Sequence, residues 1–205
     1  MVLSAEERRR LLAEPVRVEE KLDGANVMLW LDGDLGLSVA GRAGPGAIDR
    51  AGQLGRLRAW AADRGEGLRE LLSKGRVLYG EWLWLRHGVS YDALPDLLIA
   101  LDIMDARGEF VSISERDLAS ASAGLNVPPT LAEGVIGSVE ALDELVESSR
   151  FAASAPAEGA VIRSLAGDRL MAKRVSRFFA PRTDAEWTKP EKNLLTAGAP
   201  SARSS

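Results

Sequence analysis

Residues 16–31 read Val16-Arg17-Val18-Glu19-Glu20-Lys21-Leu22-Asp23-Gly24-Ala25-Asn26-Val27-Met28-Leu29-Trp30-Leu31. The first five residues alternate and are β-branched, as in a strand, and Val27 to Leu31 read as another. Asp23-Gly24 between them is a turn signal, because glycine accepts positive φ without steric cost. The stretch is therefore expected to be a hairpin with Lys21 at the end of its first strand. A rigid strand end is how a nucleophilic amine would be presented to a cleft. Most lysines beside turns simply point into water, so this stretch alone is equally compatible with an ordinary surface turn.

Outward from it, residues 4–14 suggest a short amphipathic helix with Ser4 as N-cap and Glu6 and Glu7 in its first turn. Leu35 to Ala40 reads as a strand that runs into Gly41-Arg42-Ala43-Gly44-Pro45-Gly46, a loop in which backbone can approach a ligand. Arg42 is the long cation of that loop and suits phosphate or ribose oxygens. The loop lacks the Gly-Lys-Ser/Thr ending of a Walker A motif. Residues 52–73 carry leucines and Trp60 at helical spacing, interrupted near Gly65 and Gly67, and predict one or two packing helices.

Val77 to Trp84 is strand-like, with Glu81 as its anomaly. A carboxylate in an apolar strand is costly unless paired or facing a cleft. Leu97 to Asp105 reads as a buried strand containing Leu101 and Asp102. Helices are expected at 114–123, capped by Ser114 with Asp117, and at 138–151, capped by Ser138. Glu158 opens a strand at 157–163, and Lys173 lies in another at 170–175.

The 205 residues, 46% hydrophobic, bound the chain to one domain or one domain plus a tail. There is no cysteine, which excludes disulfides and thiolate zinc sites and fits a reducing, cytoplasmic compartment. The single histidine, His87, leaves no spare base for Ser-His or Cys-His chemistry and fits structural or substrate-positioning work. No apolar run is long enough to span a membrane. The net charge of −4 argues against a general nucleic-acid binder but permits a local basic face. Such a face is expected along Arg163, Arg169, Lys173, Arg174, Arg177 and Arg182.

Lys21, Arg42, Glu81, Glu158 and Lys173 thus sit in or beside strands that ought to be core. Cations that neutralise a triphosphate, with carboxylates that hold ribose hydroxyls or a divalent metal, suit nucleotide chemistry. A lysine nucleophile must first shed its proton, which nearby cations and partial burial favour.

In order, Lys21-x-Asp23-Gly24, Arg42, Gly80-Glu81-Trp82, Glu158-Gly159-x-Val161 and Lys173 resemble the covalent nucleotidyltransferases, the polynucleotide ligases and mRNA capping enzymes. Within these the chain is most similar to the ATP-dependent RNA ligase family, on Glu20 to Asn26, on Gly80 to Leu83 with His87 and Tyr91 beyond, and on Asp102 to Asp105. The spacings of 60, 77 and 15 residues between Lys21, Glu81, Glu158 and Lys173 make the set far more specific than one Lys-x-Asp-Gly.

The resemblance implies an α+β fold with antiparallel sheets around a nucleotide cleft and helices outside. It implies a nucleotidyltransferase domain at 1–182, a flexible tail at 183–205 and no appended OB domain. By the same resemblance Lys21 attacks the α-phosphorus of ATP to form lysyl-AMP. The AMP passes to a 5′-phosphate RNA end, and a 3′-hydroxyl then seals the strand. Glu20 would help recognise adenine. Arg42 would contact ribose or an end phosphate, and Glu81 the ribose hydroxyls. Glu158 would hold Mg2+ or Mn2+, and Lys173 the α-phosphate. Asp23 and Asn26 would shape the loop and orient pyrophosphate or the incoming end. Arg163, Arg174 and Arg177 would contact RNA.

Three departures qualify it. Leu101 stands where the family places an aromatic ring on adenine. Met171-Ala172-Lys173 keeps one lysine of a pair. The residues after Pro181 are too few for the usual extra domain, which a partner protein would then supply. Three other readings stay open: an adenylyltransferase or ligase acting on DNA or another phosphorylated acceptor, a non-catalytic RNA-end binder, and the ligase module of a larger repair complex whose accessory domain a partner supplies.

Overall fold

The computed structural model describes residues 3–33, 36–41, 52–181 and 191–197. Arg42, Arg182 and the loop after Gly41 lie outside them. The fold is α+β with two four-stranded antiparallel sheets and, among the described residues, five α-helices. The chain divides into two compact units, one of Met1–Asp23, His87–Ala93 and Pro128–Trp187, the other of Gly24–Arg86, Leu94–Val127 and Thr188–Ser205.

In the first unit, Ala5–Ala13 forms helix α1. Ser4 and Glu7 close a reciprocal capping box, because each side chain satisfies the other's backbone N–H. The sheet has the order β6-β1-β7-β8, with Val16–Lys21 as β1, Thr130–Gly134 as β6, Gly159–Ser164 as β7 and Met171–Val175 as β8. One face packs Val16, Val18, Ala160 and Ile162 against Leu11 of α1 and Leu142 of α5 (Val139–Leu145). By alternation the opposite face carries Arg17, Glu19 and Lys21 of β1, Arg163 of β7 and Lys173 of β8.

In the second unit, Ala25–Asp32 forms β2 and Gly36–Gly41 β3. Helices α2 (Gln53–Asp63) and α3 (Gly65–Leu72) follow, then β4 (Val77–Trp82), β5 (Leu98–Met104) and α4 (Ile113–Ser122). The sheet order is β3-β2-β4-β5. Its core joins Val27, Leu29, Leu78 and Trp82 to Leu57, Trp60 and Leu68 of the helices. Trp60 meets Trp82 edge-on at 6.0 Å and donates from its indole N–H to Asp96 Oδ1 at 2.8 Å.

Five expectations need correction. β1 and β2 form but are not a hairpin: β1 pairs with β6 and β7, β2 with β3 and β4. Gly24 does not serve a positive φ either. It serves close approach, since a Cβ there would lie 2.7 Å from Leu83 Cδ2 and from the Trp82 carbonyl oxygen. The cap of α4 is Ser112, which accepts from Glu115 N, rather than Ser114. α5 keeps Ser138 as its cap but ends at Leu145, not 151. Finally, part of the expected tail is structured. In residues 191–197, Asn193 donates to the carbonyls of Leu83 and Leu85 at 2.8 and 3.2 Å, and Leu195 packs on the core. β6 had no counterpart in the sequence reading.

Candidate functional site

Lys21 is the last residue of β1, opposite Gly159 of β7. Its ammonium pairs with Glu158 Oε1. Glu158 is largely buried, and its other oxygen, Oε2, is buried without a hydrogen-bond partner among the described residues. Burial pushes the Glu158 carboxyl above its ordinary value, and Asp23 pushes it further. The hydrogen bond and charge of Lys21 oppose this, as does the charge of Lys173. Lys21, Glu158 and Lys173 therefore share one electrostatic neighbourhood, with Lys173 on the exposed face of β8. Gly159 is required where it is, because a Cβ there would collide with the Arg174 carbonyl oxygen.

Asp23, two residues after Lys21, grips the 87–91 loop at both its ends. Its Oδ2 accepts from Gly88 N at 2.5 Å and Val89 N at 2.8 Å. Its own N–H donates to the Tyr91 phenol oxygen at 2.8 Å. Tyr91 is 1% exposed, and burial raises its phenol well above the ordinary value. Gly88 is closed in by Phe179 and the Ala180 carbonyl, which leave no room for a Cβ. Asp23 thus shapes the 87–91 loop through backbone amides.

Glu20 is also 1% exposed. Its carboxylate accepts from Ser149 Oγ at 2.5 Å and from Arg150 N at 2.7 Å. Both oxygens are thereby committed inside the unit. Burial still pushes this carboxyl above its ordinary value, with the Ser149 and Arg150 bonds opposing. Of the three arginines expected to meet RNA, Arg163 pairs with buried Glu19 at 2.8 Å. Arg174 forms a two-point pair with Asp143 at 2.8 and 2.9 Å. Arg177 is exposed and stacks over Phe178, 4.7 Å from its ring centre.

Glu81, Asn26 and Leu101 belong to the second unit. Asn26 of β2 stands directly opposite Glu81 of β4. Glu81 Oε1 accepts from Gly24 N at 3.0 Å. Leu101 falls at an irregularity of β5, between Ala100 opposite Gly80 and Asp102 opposite Tyr79, and its carbonyl accepts from Arg116.

The donor set fits a divalent metal in one way. No group of three or more His, Cys, Asp or Glu among the described residues could hold an ion. The unpartnered Glu158 oxygen is a hard ligand, and Mg2+ keeps most of its water while taking one or two carboxylates plus substrate phosphates. A metal here would be shared with a substrate. Asp23's clamp, Tyr91 and Ser149 had no assigned role from sequence. Only the spacing of Tyr91 after Glu81 carried any signal.

The sequence matches the family model described as RNA ligase over residues 14–175. No curated protein matches it. Among solved structures, an archaeal ATP-dependent RNA ligase superposes with TM-score 0.62 at 19% identity, covering 85% of this chain and 46% of that one. A Naegleria gruberi RNA ligase variant with ATP and Mn gives 0.59 at 17%, covering 84% and 52%. The same organism's RNA ligase with PPi gives 0.56 at 17%, covering 82% and 51%. These likenesses show the fold, and the chain spans about half the length of the structures it matches. No helix among the described residues is long and apolar enough to cross a membrane.

Proposed function

We propose, on the premise that the chain belongs to the RNA ligase family, that it is an ATP-dependent RNA ligase whose nucleophile is Lys21. Residues 1–182 are its nucleotidyltransferase domain, working in a reducing, cytoplasmic compartment. The observation that carries the reading is the Lys21–Glu158 pair at the end of β1, with Lys173 in the same field. A strand end fixes the amine, and a carboxylate at its side can take its proton.

The first step follows from these groups. Lys21 Nζ gives up a proton, its lone pair forms a bond to the α-phosphorus of ATP, and the bond to pyrophosphate breaks. Lys173 offsets the charge that develops on the α-phosphate oxygens. Glu158 offers its free oxygen to Mg2+ or Mn2+, a cation that, when bound, neutralises phosphate charge. The solved relative named with ATP and Mn supports this pairing of nucleotide and metal. Glu81 and Asn26, facing each other across β2 and β4, are the ribose-binding pair. Glu20 acts on adenine through the segment at Ser149 and Arg150 that it holds. Leu101 covers the base, and Arg42 contacts the nucleotide. The AMP then passes to the 5′-phosphate of RNA, and a 3′-hydroxyl displaces it. An accessory domain or partner protein contributes to this later joining.

The test is intact-protein mass after incubation with ATP and Mg2+ or Mn2+. The wild type gains one AMP and Lys21→Ala gains none. A wild type that stays unmodified while well folded sinks the reading. Challenging the adenylylated protein with 5′-phosphorylated RNA and DNA ends then identifies the acceptor.

A further inference from the structure

β8 is the edge strand of its sheet and is exposed along one side. Met171 and Val175 are 49% and 47% exposed, with exposed Lys173 between them. Alternate residues of a strand lie about 6.6–6.8 Å apart, since each residue rises about 3.3–3.4 Å. Just beyond the strand, Phe178 is 52% exposed, an unusual position for a phenylalanine in a 5% aromatic chain.

The backbone that carries Phe178 is hydrogen-bonded on both sides. Ser176 N donates to the Glu158 carbonyl at 2.8 Å, and Ser176 Oγ accepts from Phe178 N at 3.2 Å. Phe179 N donates to the Ser176 carbonyl at 3.2 Å, and the Phe179 ring abuts Gly88. The Arg177 guanidinium lies over the Phe178 ring, and Arg174 already engages Asp143 at two points. A solvent-facing ring on a hydrogen-bonded backbone, with a cation on it and a lysine upstream, is the chemistry of a base-stacking platform.

We propose that the exposed side of β8 and the Arg177–Phe178 pair form a track for single-stranded RNA, with Phe178 stacking on a base near the strand's end. This deepens the RNA ligase reading and rests on it for the identity of the polymer. The charge favours a nucleic acid, since Arg177 is an exposed cation at the ring and Lys173, which serves the α-phosphate, lies upstream of it. The apolar side chains of Met171 and Val175 suit sugar faces.

The experiment measures fluorescence anisotropy of a short, labelled, 5′-phosphorylated single-stranded RNA against the full chain without ATP. Phe178→Ala weakens binding about tenfold, the scale of one lost base stack, whereas Phe178→Trp retains it. Arg177→Ala lowers the slope of log affinity against log salt by about 0.7. Lysyl-AMP formation is unchanged in Phe178→Ala, because the ring stacks with Arg177, which takes no part in the ATP chemistry. Equal affinity of Phe178→Ala and wild type overturns the track, as does equal weakening by alanine and tryptophan. If RNA binding depends on Phe178 but no lysyl-AMP forms in the wild type, the ligase reading fails while the track stands. If lysyl-AMP forms and Phe178 is without effect on RNA, the track alone fails.

Discussion

The Asp23–Tyr91 contact is a small closed system whose parts can be removed singly. Tyr91→Phe keeps the ring and deletes the acceptor of the Asp23 N–H, leaving a donor unsatisfied beside a buried ring. Such a loss costs about 1–3 kcal/mol, readable as a lowered urea midpoint at unchanged slope. Glu20 offers a pH test. Its folded-state value is raised above 4.5, chiefly by burial. The stability it contributes is therefore fully present below 4.5 and is lost as pH rises through the raised value. Urea midpoints of wild type and Glu20→Gln, taken between about pH 4 and pH 8, isolate the effect. The wild type's advantage over the variant shrinks with rising pH. An advantage that grows instead would mean that the Ser149 and Arg150 donors outweigh burial.

At the scale of elements, what the sequence made legible was local. Ser4 and Ser138 were readable as caps because a cap and its target lie three residues apart. Ser4→Ala removes one half of the α1 box and costs about 1 kcal/mol in thermal denaturation. Strands were legible as strands from β-branched alternation, but their partners were not. Pairing is decided by which apolar faces meet, so β1 and β2, adjacent in sequence, entered different sheets. Short, moderately apolar β6 is the edge strand and pairs with β1. Lys21, Glu81, Glu158 and Lys173 stood out as charges in apolar strands. Asp23's clamp and Ser149's bond to Glu20 depend on segments brought together by folding. Gly24 was noticed for the wrong property. Gly24→Ala places a Cβ against Leu83 and Trp82 and lowers the thermal midpoint, although its φ suits alanine.

At the scale of the whole molecule, each unit has its own core, and the larger one is built around the paired indoles of Trp60 and Trp82. Trp60→Ala removes a fully buried ring and the donor to Asp96, at a cost of about 3–5 kcal/mol in equilibrium unfolding. The smaller core is closed by strands far apart in sequence, and this has a consequence in time. β1 is made well before β7, yet its end cannot be paired until β7 has emerged, since Lys21 registers with Gly159. Contacts of such long sequence separation are slow to form, because the intervening chain must give up its freedom first. A chain that still lacks β7 therefore carries the lysine without its carboxylate partner, and the Lys21–Glu158 pair is assembled only once both segments are present.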